Sequence, residues 1–239
     1  MPFPPHVHSV FDGPTTNWPV IGQVKNACSV TSLANVLNLY AAASIYTPRE
    51  FIRELGIWFQ PRIGGTLPYF KSRQLLKRGY GSHFGNLRYT DCEKVLCQLI
   101  DMAIPCIIDI YTATQVGRRR IFGQHAVVLV GYSERYVDAQ GETHQEYYVI
   151  DSQWPALGDF QIISNNVDRD GDGIVEDYPG NRTLSRTQFL KLFTTRCYAP
   201  VFPTPLAHAR WYASTMEQHT PTWRERYITG SNDRQKSPF

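Results

Sequence analysis

The chain reads as an α+β fold, with an amino-terminal helical lobe packed against an antiparallel β-sheet lobe and a cleft between them. Three observations predict it. Residues up to about 103 carry helical periodicity with start and stop signals. Residues 104–163 carry short β-branched and aromatic runs bounded by turns. The two kinds are segregated along the chain rather than alternating, and segregation favours α+β over a doubly wound parallel sheet. At 239 residues the polymer can fill one large domain or two lobes sharing a groove.

The helices come first. "NACSVTSLANVLNLYAAA" repeats apolar residues at Val30, Leu33, Val36, Leu37 and Tyr40, the spacing of one buried face, with Asn26 as the expected cap. "TPREFIRELG" pairs Thr47 with Glu50 as a capping box, sets Pro48 at the first helical position and stops at Gly56. A third helix is expected in "LPYFKSRQLLKRG", ending at Gly79. A fourth, "TDCEKVLCQLIDMA", opens with a second box from Thr90 to Glu93.

Strands follow at "IPCIIDIY" (104–111), "HAVVLVGY" (125–132), "EYYVIDS" (146–152) and "DFQII" (159–163). The polar stretch "SERYVDAQGETHQ" reads as a hairpin loop around Gly141. From residue 200 the chain turns proline-rich and polar, the pattern of an extended carboxy-terminal arm. The expected organisation is an extension over 1–20, one domain over 21–199 and the arm over 200–239.

Charge and hydropathy exclude several function classes. Twenty-four basic against 21 acidic residues leave a net charge of +3, too little for a nucleic-acid or anionic-membrane partner. "GRRR" (117–120) is the one dense basic cluster and reads as a solvated loop. No apolar run approaches the ~20 residues a membrane span needs, and "MPFPPHVHSVFDG" lacks the basic start and apolar stretch of a signal peptide. A soluble protein made in the cytoplasm is expected, with leaderless export left open and the oligomeric state undetermined.

Five cysteines stand at 28, 92, 97, 106 and 197 without a CxxC pair, which argues against a disulfide framework or a thiolate zinc site. Cys92, Cys97 and Cys106 lie in apolar contexts and read as core packing. Cys28 differs because it opens a helix. A nucleophilic cysteine acts as its thiolate, and a helix amino terminus together with a nearby histidine lowers its pKa from about 8.5. Among seven histidines, His6 and His8 lie near the terminus, and His83, His144, His208 and His219 lie in loops or the arm. His125 begins a strand, a position from which a rigid element can aim a base. Asp151 ends the next strand, so antiparallel pairing sets it beside His125 as the acceptor that orients an imidazole. Gln23 and the Cys28 backbone amide could supply an oxyanion hole.

Gln23, Cys28, His125 and Asp151 in this order resemble the papain-like cysteine peptidase superfamily. "HAVVLVGY…YYVIDSQW…GDFQI" is similar to its His strand, its Asn-Ser-Trp strand and the strand that follows. "LIDMAIPCIIDI" resembles the branch that processes bacteriocin leaders at double-glycine sites, a branch that uses Asp as third member. The likeness covers roughly residues 20–165. It implies a Cys-His-Asp thiol peptidase that acts on a peptide or protein, needs no catalytic cofactor, and takes its oxyanion donor from Gln23. It also implies that Trp154 shields the histidine from water. Gly64 and Gly65, in "FQPRIGGTLPY", are candidates for lining the substrate groove because they let a backbone approach. Two alternatives share these residues: a thiol acyltransferase of transglutaminase type, and a non-catalytic binding module that retains the fold.

"DRDGDG" is a second motif. Asp168, Asp170 and Asp172 occupy positions 1, 3 and 5 of a calcium loop, and Gly173 and Val175 occupy positions 6 and 8. Position 12 is Pro179 instead of glutamate, so Glu176 or Asp177 would have to complete a structural Ca2+ site.

Overall fold

A computed structural model describes residues 6–11, 19–22, 26–59, 66, 69–116, 119–137, 141–153, 161–162, 165–167, 173 and 176–216. In chain order the elements are β1 (Val7–Ser9), β2 (Pro19–Val20), α1 (Cys28–Ala41), α2 (Pro48–Leu55), α3 (Phe70–Lys77), β3 (Gly85–Asn86) and α4 (Cys92–Asp101). Then follow β4 (Cys106–Val116), β5 (Arg119–Ser133), β6 (Tyr136–Val137), β7 (Thr143–His144), β8 (Glu146–Ile150), β9 (Gln161–Ile162) and β10 (Asn165–Val167). The last are β11 (Glu176–Tyr178), β12 (Arg182–Ser185), α5 (Arg186–Leu192), β13 (Cys197–Pro200) and α6 (Pro205–Met216).

The main sheet runs β12-β8-β5-β4-β13-β3, every pair antiparallel, and β1 pairs with β5 just beyond the end of β4. α1 to α4 precede the central strands β4, β5 and β8 as the segregated pattern predicts, whereas α5 and α6 follow them, and the class is α+β with a papain-like arrangement. Ile107, Ile108, Ile110 and the run Val127, Val128, Leu129, Val130 are buried on consecutive residues. Both faces of the central strands are therefore covered, and β5 reads as an unbroken apolar run from Ala126 to Val130 instead of an alternating one. β5 is longer than expected: it pairs with β4 from Leu129 to Arg119, which puts Arg119 and Arg120 of the basic cluster in the ladder. The described residues of "DFQII" form β9, which pairs with β2 and stays apart from the main sheet.

α1 departs from the one-faced helix of the periodicity. Every residue from Ser29 to Leu39 is buried. Its polar side chains are consequently internal anchors. Asn38 Oδ1 accepts from the Ile45 and Tyr46 amides at 3.0 and 2.8 Å, Asn35 Oδ1 accepts from Ile21 N at 2.7 Å, and Ser32 Oγ donates to Ala126 O at 3.0 Å. Each buried polar group that is satisfied this way fixes a loop or strand to the helix, and losing one partner would cost about 1–3 kcal/mol.

Helix starts follow the capping rules unevenly. Thr47 accepts from the Glu50 amide at 3.3 Å with Pro48 next, and Gly56 ends α2 at φ 53°. The second expected box does not form: Asp91 precedes α4 without a side-chain cap bond, and Glu93 instead holds Arg186 at 2.6 Å and Tyr147 at 2.7 Å. A bidentate guanidinium on a half-buried carboxylate outweighs one cap bond. A complete capping box occurs at Ser185 and Gln188 of α5. The stretch read as an extended arm from residue 200 contains α6, whose His208 Nε2 lies 2.8 Å from Nδ1 of the buried His83. The extension read at 1–20 adds β1 to the sheet. No helix among the described residues is long and apolar enough to cross a membrane.

Candidate active site

The site forms where the start of α1 meets β5. α1 begins at Cys28, and its N-cap is Ala27, not the expected Asn26; Asn26 precedes it with φ 57°, a left-handed conformation that asparagine tolerates better than most residues. Cys28 thus occupies the first helical position, where the dipole favours negative charge. Thr31 bonds back to the Ala27 carbonyl through both its amide, at 2.9 Å, and its hydroxyl, at 2.8 Å, and closes the first turn. The Ser32 bond to Ala126 fixes this turn beside His125.

Register brings His125 and Asp151 together. β5 pairs with β8 as Val128 opposite Ile150, and one further step sets Asp151 opposite Val127. His125 lies two residues before Val127, so its side chain shares that face. His125 Nε2 lies 2.7 Å from Asp151 Oδ1, and both residues are buried, at 3% and 1% exposure. Nδ1 is then the imidazole nitrogen left for sulfur, and His125 is the chief group that lowers the half-buried Cys28 thiol.

The electrostatics of the three groups reinforce one another. Burial would push the Cys28 thiol up, but the hydrogen bond and charge of His125, the backbone of Ala126 and the more distant Lys71 ammonium bring it below its ordinary value. Burial would push His125 down, yet Asp151 and Cys28 raise it to about 9. Asp151 is likewise penalised by burial and nevertheless held below its ordinary range by His125, the Gln153 amide and Arg182. The other four thiols are all raised, chiefly by burial, Cys97 to about 12. Selective activation of one thiol in five is what nucleophilic chemistry at Cys28 requires.

Three further residues hold Asp151, and none was singled out in the sequence. Asn181 Oδ1 accepts from the Asp151 amide at 2.7 Å and its Nδ2 donates to the Asp151 carbonyl at 2.9 Å. Arg182 Nη1 donates to Oδ2 at 2.7 Å, and the Gln153 amide donates to Oδ1 at 2.9 Å. The only signal for Arg182 was general: a buried carboxylate needs a donor, and 24 lysines and arginines were candidates. Gly180 permits the approach, with φ 73°, and a Cβ there would strike the Val149 carbonyl. Lys71 and Asp109 form a second, buried ion pair between α3 and β4, and Asp109 lies opposite Ala126 in the ladder.

Of the residues expected at the site, Cys28, His125 and Asp151 converge. Gln23, Gly64, Gly65 and Trp154 lie outside the described residues. So do Asp168, Asp170 and Asp172; Glu176 and Asp177 lie in β11, which pairs with β10 on the far side of the acidic loop, and Gly173 adopts φ 84°. No group of three metal-ligating side chains occurs among the described residues.

The Peptidase C39 like family matches the chain over residues 14–159, a span that contains Cys28, His125 and Asp151. No curated protein matches it.

Proposed function

We propose, for a chain that belongs to the Peptidase C39 like family, that it hydrolyses a peptide or amide bond through Cys28, His125 and Asp151. At family level the chain is a cysteine peptidase and its substrate class is peptide. The observation that carries the finer reading is geometric: Cys28 heads α1, and His125 Nε2 lies 2.7 Å from the buried Asp151 Oδ1. The Cys28 thiol is lowered and the His125 imidazole raised to about 9, opposite shifts that favour a thiolate beside an imidazolium.

In this reading the Cys28 sulfur attacks the carbonyl carbon, forming the carbon–sulfur bond and moving an electron pair to oxygen. The amide of Cys28 at the head of α1, and Gln23, stabilise that oxyanion. Collapse breaks the carbon–nitrogen bond, and the His125 imidazolium gives its proton to the leaving amine. Water, deprotonated by the now neutral imidazole, cleaves the thioester and regenerates the thiolate. Asp151 keeps the Nε2 proton in place throughout and so dictates that Nδ1 does the chemistry.

Cleavage of a diverse peptide library tests the proposal. Cys28→Ala should abolish turnover, a loss of at least about 10³-fold, and Cys106→Ala should retain it. Equal activity in the two variants would refute the assignment. An added primary amine separates hydrolysis from acyl transfer, because capture of the acyl group by the amine would identify a transglutaminase-type enzyme.

A further inference from the structure

We infer that Arg182 is a positioning residue for the proposed reaction, holding Asp151 ionised so that His125 remains charged beside the Cys28 thiolate. The inference rests on the peptidase reading of this site and extends it to a residue beyond the matched span of 14–159. Asp151 has two carboxylate oxygens and they are divided: Oδ1 faces His125 Nε2 and the Gln153 amide, and Oδ2 faces Arg182 Nη1 at 2.7 Å. The carboxylate is 2% exposed, against 25% for the guanidinium. An anion so deeply buried needs more than one partner to remain charged, since desolvation favours its neutral form.

The imidazolium cannot be the sole counter-charge, because it loses its proton during each catalytic cycle. At that moment Arg182 is the one remaining cation on Asp151 among the described contacts. Without it, a neutral imidazole would leave a buried carboxylate balanced only by hydrogen bonds, and Asp151 would take up a proton at a higher pH. A protonated Asp151 no longer favours the imidazolium, and the thiolate loses its partner in turn. Arg182 reaches this position because β12 pairs with β8, with Arg182 opposite Val149, two residues before Asp151. Asn181 locks the backbone of Asp151 in the same step. Successive residues at the head of one strand thus fix the orientation and the charge of the group behind the base.

The test is the pH dependence of Cys28 alkylation by iodoacetamide, with peptide hydrolysis in parallel, for the wild type, Arg182→Gln and Arg182→Lys. The Gln variant should move the acid limb upward by about one unit, the lower end of what a neighbouring opposite charge contributes. The Lys variant, which restores the charge without the planar fork, should keep the limb near its wild-type position even if turnover falls. In an Asp151→Asn background the Gln substitution should produce no further shift. An acid limb unmoved in Arg182→Gln, or moved as far in Arg182→Lys, would overturn this role and leave the triad intact. A wild type whose Cys28 labels no faster at pH 6 than its buried thiols would overturn the peptidase reading itself, and this role with it.

Discussion

At the scale of single residues, the proposed function depends on opposite shifts in two neighbouring groups. His125 is raised from 6.5 to about 9, and Asp151 is lowered from 3.8. A raised histidine contributes stability that is complete below its unfolded pKa and is lost as pH climbs through the folded value; a lowered aspartate contributes above its unfolded pKa and is lost on acidification. Their joint contribution is therefore complete between pH 3.8 and 6.5, and it declines from there toward about 9. The proposed catalysis has the same upper boundary, because in it His125 supplies a proton to the leaving amine. Peptide hydrolysis should accordingly fall off with an apparent pKa near 9, measured as kcat/KM across pH. A basic limb at 6.5 would mean that His125 does not feel Asp151 and Cys28.

Cys28 and Asp151 were legible in the sequence because they mark a helix start and a strand end; His125, read as a strand start, lies inside β5, and what singled it out was the apolar run that follows it. Their supports were not. Ser32, Asn181 and Arg182 act through partners 94, 30 and 31 residues distant in the chain, and no local spacing encodes such contacts. The cap at Asn26 failed for a related reason. Its backbone turns left-handed at φ 57°, whereas the side-chain cap depends on an extended residue immediately before the helix.

At the scale of elements, the decisive contact is between β12 and β8. Gly180 brings the chain close to the Val149 carbonyl, and the Asn181 amide then bonds that same carbonyl at 3.1 Å. Gly180→Ala would meet both a positive φ and a blocked Cβ position, costing about 2 kcal/mol or more. For a chain of this size that corresponds to a fall of about 4–8 °C in Tm. Because Asn181 and Arg182 would be displaced, peptide hydrolysis should fall as well. A variant with unchanged Tm and turnover would show that the close approach contributes nothing.

Elements also show where periodicity misleads. The apolar stripe of α1 was visible, but its burial on every side was not, because Thr31, Ser32, Asn35 and Asn38 look like a solvated face until their partners are known. The same holds for α6, where Pro205 opens a helix within a stretch whose prolines suggested extension. Proline at the first helical position favours a helix, and proline two residues earlier does not forbid one.

At the scale of the whole molecule, the segregation of helices and strands gave the class correctly, and the order of the sheet could not be read from it. β8 and β13 flank the central β4–β5 hairpin, and β1, from the other end of the chain, pairs with β5 beyond the end of β4, so the core closes with contacts of long sequence separation. The helical lobe carries Cys28, and the sheet carries His125 with Asp151 at the end of β8, the proposed nucleophile, base and orienting acid. Relative movement of the two would therefore separate sulfur from imidazole, and the Ser32–Ala126 bond and the buried Lys71–Asp109 pair resist it. Removing one member of such a buried pair leaves the other charge uncompensated, at a cost of about 3–5 kcal/mol.

The most direct measurement is the rate at which each of the five thiols reacts with iodoacetamide in the folded protein at pH 6, resolved by peptide mass mapping. Cys28 should be alkylated at least about tenfold faster than Cys92, Cys97, Cys106 or Cys197, since it alone combines a helix start with a charged imidazole. Replacing His125 by alanine should erase that advantage. Uniform labelling across the five, or a Cys28 rate indifferent to His125, would contradict a thiolate–imidazolium pair at the head of α1.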